Sequence, residues 1–97
     1  MLLCSIIKQL MMNVSIEMTL MPLNDNYKDV IKDFILSIRN SEFKVLENPL
    51  STQIYGDYDK LIDLLKVEIK DVFSKNEGIM VNLKIVNGDR SNYQPTF

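Results

Sequence analysis

One α+β domain, a four-stranded antiparallel sheet with both helices on one face, is predicted by three observations. Apolar residues recur every second position at Val14, Ile16, Met18 and Leu20, and again at Ile79, Val81, Leu83 and Ile85. This is the period of a strand with one buried face. Two longer segments carry apolar residues at helical spacing: Val30, Ile31, Phe34, Ile35 and Ile38, then Leu61, Ile62, Leu65, Ile69 and Val72. Between the helices lie two short extended segments joined by Asn48-Pro49, a turn pair that favours a hairpin.

The elements follow in order. The first strand is expected over about Asn13 to Met21, stopped by Pro22, with Asn24-Asp25 as a helix cap. The first helix is expected over Asn26 to Arg39, with Tyr27 added to its stripe. Asn40-Ser41 would end it, because asparagine tolerates the left-handed turn that closes a helix. Phe43 to Glu47 and Leu50 to Gly56 read as the second and third strands, the latter with Thr52 and Ile54 inward and Ser51, Gln53 and Tyr55 outward. Asp57 can cap the second helix, whose stripe also takes in Tyr58 and Phe73 and which ends near Lys75-Asn76. Gly78 opens the fourth strand and Asn87 to Arg90 closes it. The order βαββαβ with right-handed crossovers is that of the ferredoxin-like plait.

Ninety-seven residues make a single domain. Such a chain buries roughly 60–70% of its unfolded surface, enough for one core without staples. The domain itself is assigned to residues 13–89. Residues 1–12 read as a leader: the stretch is apolar but broken by Lys8 and Gln9, too short to span a bilayer and without a signal-cleavage pattern. Translation is expected to start at the Met11-Met12 pair, the preceding ten or so residues being upstream read-through; a short extension packed on a partner is the alternative. Residues 90–97 read as a polar tail that frays unless a partner holds it.

Composition narrows the function. A net charge of −2 and a pI near 5.0 argue against a nucleic-acid footprint, which needs a basic face. The fourth strand also lacks the Lys/Arg-Gly-aromatic signature of RNA-binding plaits. Cys4 is the only cysteine and there is no histidine, so no internal disulfide, zinc site or histidine-based triad is expected. Glycine-rich phosphate loops are absent. The loop after the first strand, Pro22 to Asn26, is acidic and without arginine, which weighs against a plait phosphatase. Carboxylate pairs such as Asp57/Asp59 and Asp29/Asp33 read as capping or solvated helix residues. The chain is therefore expected to be non-catalytic, without cofactor or metal, away from membranes and cytoplasmic.

The side of the sheet that the helices leave open should carry Ser15, Glu17, Thr19, Met21, Lys44, Leu46, Ser51, Gln53, Tyr55, Met80, Asn82 and Lys84. Such a mixture of methionine, leucine and tyrosine with hydroxyls, amides and one carboxylate suits an interface or a small-molecule site. The plainer alternative is a sheet face turned to water. Glu17 stands out. Covered, its carboxylate needs a partner, either Lys84 on the neighbouring strand or the amino group of a bound heterocycle.

The stretch Val14 to Leu23, the step Ser51 to Asp57 into the second helix, and the closing strand Val81 to Ile85 resemble the thiamine/hydroxymethylpyrimidine-binding ferredoxin-like family, related to the Ykof-type proteins. The resemblance covers about residues 13–89. It implies a non-catalytic cytoplasmic protein that pairs through its sheet faces into homodimers or homotetramers and binds thiamine or its pyrimidine moiety. By motif position it implies ligand contacts at Glu17, Ser51 and Thr52, with Asn48 and Asn82 as further members. Gln53 and Tyr55 depart from the family pattern, which has a hydroxyl or aliphatic residue and a carboxylate there. The competing reading is a structural or regulatory plait with Glu17 paired to Lys84 and no ligand.

Overall fold

The computed structural model describes residues 11–23 and 28–95. The expected leader up to residue 10, the Asn24-Asp25 cap and Tyr27 lie outside the described residues. The chain runs β1 (Asn13–Pro22), α1 (Lys28–Arg39), β2 (Lys44–Glu47), β3 (Thr52–Asp57), α2 (Tyr58–Lys75) and β4 (Ile79–Asn87). All strand pairings are antiparallel and the sheet order is β2-β3-β1-β4. The predicted ferredoxin-like plait is therefore the observed architecture.

Alternation along β1 builds the core. Val14, Ile16 and Met18 are each 2% exposed or less, and β3 adds Ile54 beside Ile16. The helices close over this side with Phe34 and Ile38 from α1 and Leu61, Leu65 and Val72 from α2, in one apolar cluster. Fully burying side chains of this size contributes about 1.5–3 kcal/mol each. Thr52 faces the same side, as the pattern predicted.

Local chemistry sets the boundaries. Asp57 ends β3 and caps α2 through its carboxylate, which accepts from the Lys60 amide at 3.3 Å. The β2–β3 turn is an Asx turn: the Asn48 side-chain oxygen accepts from the amides of Leu50 at 2.8 Å and Ser51 at 3.0 Å. The end of α1 differs from expectation. No described non-glycine residue has positive φ, so Asn40 does not adopt the left-handed turn. The Ser41 hydroxyl instead donates to the Ile38 carbonyl at 2.6 Å and satisfies the open helix end. The α2 stripe is also narrower than predicted, since Tyr58 and Phe73 lie exposed at its two ends.

Beyond β4 the chain reverses at Gly88, whose φ of 95° is a left-handed conformation that glycine adopts without strain. The following residues return across the open side of the sheet. The Ser15 hydroxyl donates to the Gly88 carbonyl at 2.8 Å and accepts from the Arg90 amide at 2.8 Å. Asn92 reaches Lys44 on β2 at 3.5 Å.

Candidate functional site

The register places the open-side residues in rows. One runs Leu46–Gln53–Glu17–Lys84 and another Lys44–Tyr55–Ser15–Val86. Thr19 lies beside Asn82, and Met21 beside Met80. Side chains directly opposite in such rows sit about 4.5–5.5 Å apart at Cβ. The predicted open face thus assembles as one surface.

Glu17 sits in the middle of it. Its Oε2 accepts from the Ser51 hydroxyl at 3.1 Å, and its Oε1 lies 3.6 Å from the Lys84 ammonium. Its side chain is 42% exposed and that of Lys84 73%, so water reaches both partners. An ion pair of this kind is worth about 0–1 kcal/mol, so a second donor can displace Lys84 from Oε1 at small cost. Ser51 has committed its proton to Glu17 and offers a ligand only lone pairs.

A depression of about 160 Å³ opens beside Glu17, and Ser15, Gln53, Tyr55, Lys84 and Arg90 are among its lining residues. Its floor is firm. Tyr55 is 8% exposed and its hydroxyl donates to the Gln53 side-chain oxygen at 2.7 Å. Burial, and then the negative charges of Asp89 and Glu17, raise the Tyr55 hydroxyl above its ordinary pKa, so it remains a donor. A second hollow of about 130 Å³ lies between β1 and β4, where Glu17, Thr19, Asn82 and Lys84 meet.

The five residues selected from the sequence fall in three places. Glu17, Ser51 and Asn82 belong to the open side. Thr52 points to the helix side, 9% exposed, and borders a separate cleft of about 230 Å³ with Ile31, Phe34, Asn48, Leu50 and Ser51. Asn48 spends its side-chain oxygen on the turn. Ser51, just ahead of β3, borders the cleft and also bonds Glu17. Arg90 was not selected from the sequence: it belongs to the returning tail, and only the sharp turn at Gly88 brings it to the site. Ser15, expected on the uncovered side of the sheet, lies 7% exposed beneath residues 88–90 of this chain. Among the described residues no cluster of three or more acidic, cysteine or histidine side chains could hold a metal, and no helix is long and apolar enough to cross a membrane.

Neither a protein-family profile nor a curated protein matches the sequence. Solved structures do. A protein from Streptococcus pneumoniae is 25% identical with a TM-score of 0.73, over 80% of this chain and 89% of that one. A candidate thiamine biosynthesis/salvage protein from Thermotoga maritima is 19% identical with a TM-score of 0.68, over 75% and 81%. A domain of unknown function from Bacillus cereus is 20% identical with a TM-score of 0.64, over 89% and 80%. These likenesses support the ferredoxin-like plait and place the chain's fold among small proteins that are largely uncharacterised.

Proposed function

We propose that this chain is an oligomeric, non-catalytic, cytoplasmic protein that binds thiamine or its hydroxymethylpyrimidine moiety on the open side of its sheet. The observation that carries the reading is Glu17, a half-exposed carboxylate at the centre of a mixed apolar and polar face, held in place by Ser51 and only loosely by Lys84. An aminopyrimidine is flat and carries an amino donor beside ring acceptors. Its amino group donates to Glu17 in place of Lys84, and the displaced ammonium donates to a ring nitrogen. Met80 and Met21, exposed on the same face, supply apolar cover when a second copy stacks on it. The fold shared with the Thermotoga maritima protein adds support.

Isothermal titration calorimetry with thiamine and with hydroxymethylpyrimidine tests the reading. Binding near the micromolar range, roughly −8 kcal/mol, is the expected result. Glu17→Gln keeps the shape but loses the charge, and should weaken binding by about 1–3 kcal/mol. No heat from either compound would overturn the proposal.

The Lys84–Glu17 contact at 3.6 Å also favours a second reading, a structural or regulatory plait in which the pair is satisfied internally. On that reading Glu17→Gln leaves assembly unchanged and neither compound binds.

A further inference from the structure

Residues 88–92 bring to the Glu17 site a cation for which an uncharged pyrimidine has no use. Gly88 reverses the chain at a φ of 95°. The Ser15 hydroxyl pins the turn, donating to the Gly88 carbonyl and accepting from the Arg90 amide, both at 2.8 Å. Arg90 thereby joins Glu17, Gln53, Tyr55 and Lys84 around the depression of about 160 Å³. It lies beyond residues 13–89, the span that carries the family resemblance.

The charges around the depression do not cancel. Glu17 and Lys84 lie 3.6 Å apart and balance each other. Among the described residues no hydrogen bond or ion pair engages the Arg90 guanidinium. Asp89 beside it is already engaged: its carboxylate accepts from the Ser91 amide at 2.8 Å, and hydrogen bonding from Ser91 and then the charge of Lys44 hold it below the usual carboxylate range. Donors also outnumber acceptors. Tyr55 gives its proton to the Gln53 side-chain oxygen at 2.7 Å, which leaves the Gln53 amide nitrogen to donate elsewhere. Lys84 and Arg90 can only donate. The lining therefore sets three donor groups against one carboxylate, and the ligand that satisfies it is rich in acceptors and negative at one end. Size adds a limit. Sites for drug-sized molecules measure about 300–1,000 Å³, so a hollow of about 160 Å³ takes one ring with a short substituent. The thiazolium of thiamine would lie outside it and add positive charge beside Lys84 and Arg90.

We infer that the ligand class of this site is an aminopyrimidine whose hydroxymethyl oxygen carries a phosphate monoester, and that Arg90 sets this specificity by taking the phosphate. The inference rests on the reading of Glu17 given above: the amino group donates to Glu17 and Lys84 donates to a ring nitrogen. The ester then answers the cation left over. A phosphate monoester carries about −1.5 to −2 charges near pH 7 and has three acceptor oxygens. The planar guanidinium of Arg90 matches two of them as a fork, and the Gln53 amide nitrogen serves the third. An unphosphorylated alcohol leaves Arg90 unanswered.

Calorimetry on the full chain with four probes tests it: hydroxymethylpyrimidine, its phosphate monoester, thiamine and inorganic phosphate. The monoester should bind on the order of tenfold tighter than the unphosphorylated compound. Thiamine should bind no tighter than that compound, and inorganic phosphate far more weakly than the monoester. Arg90 is exposed, so its replacement leaves the fold intact. Arg90→Gln should remove the monoester's advantage and leave the affinity for the unphosphorylated compound unchanged. Arg90→Lys, which keeps the charge and loses the fork, should fall between. Glu17→Gln should weaken both pyrimidines alike. Equal affinity for the two pyrimidines, or an Arg90→Gln loss shared by both, overturns the inference and leaves the pyrimidine reading standing. Thiamine binding tighter than the monoester does the same. Inorganic phosphate binding as tightly as the monoester also overturns it, since the site then reads only an anion. Silence from both pyrimidines and from thiamine takes down the reading and the inference together.

Discussion

Glu17 and Tyr55 show how much a single side chain's meaning depends on its neighbours. Alternation in β1 put Glu17 on the open side and Lys84 beside it on the neighbouring strand, and their contact at 3.6 Å follows from register; the bond from Ser51 at 3.1 Å does not, because register sets Gln53 opposite Glu17 and Ser51 lies just ahead of β3. Thr52 was legible as inward, which is why it cannot share a surface with Glu17. Tyr55 was not legible as buried, because the cover over its row comes from a tail that looked unstructured. Its raised pKa has a consequence with a definite sign. An unfolded tyrosine ionises near 10, and the folded one ionises later. The contribution to stability is therefore whole below pH 10 and is lost as pH climbs through the folded value. Spectrophotometric titration should find a late-ionising tyrosine that disappears in Tyr55→Phe.

Strands and helices were read more reliably than their ends. The period-two runs and helical stripes located all six elements, while the close of α1 went to Ser41 rather than Asn40 because a hydroxyl-to-carbonyl bond made the left-handed turn unnecessary. Gly56, expected as the last residue of the third strand, lies one residue inside β3 opposite Val14. A Cβ there would stand 2.5 and 2.9 Å from ring carbons of Phe43, so the ring of the residue before β2 fills the space a side chain would take. Gly56→Ala should cost about 1–3 kcal/mol through overpacking. The check is a lower urea midpoint at unchanged m-value. The partial cover of β4 was hidden for a related reason: alternation says which side a residue faces, and nothing in it says whether a helix reaches that far. Leu83 and Ile85 read as core and are nearly half exposed.

At the scale of the whole molecule, the proposal of an oligomer carries a prediction about concentration. If folding and association are linked, the midpoint of thermal unfolding should rise with protein concentration; differential scanning calorimetry over a hundredfold dilution series measures this, and a constant midpoint speaks for a self-sufficient monomer. The architecture was legible because a plait is specified by local periodicity and element order. The site was legible only in part, because its members come from both ends of the chain. The reversal at Gly88 is the reason: residues 89–92 are led back over β1 toward Lys44 instead of away from the sheet. A fluorophore coupled near Tyr93 would therefore be carried to the side where Glu17 stands, within range to be dimmed by whatever settles there.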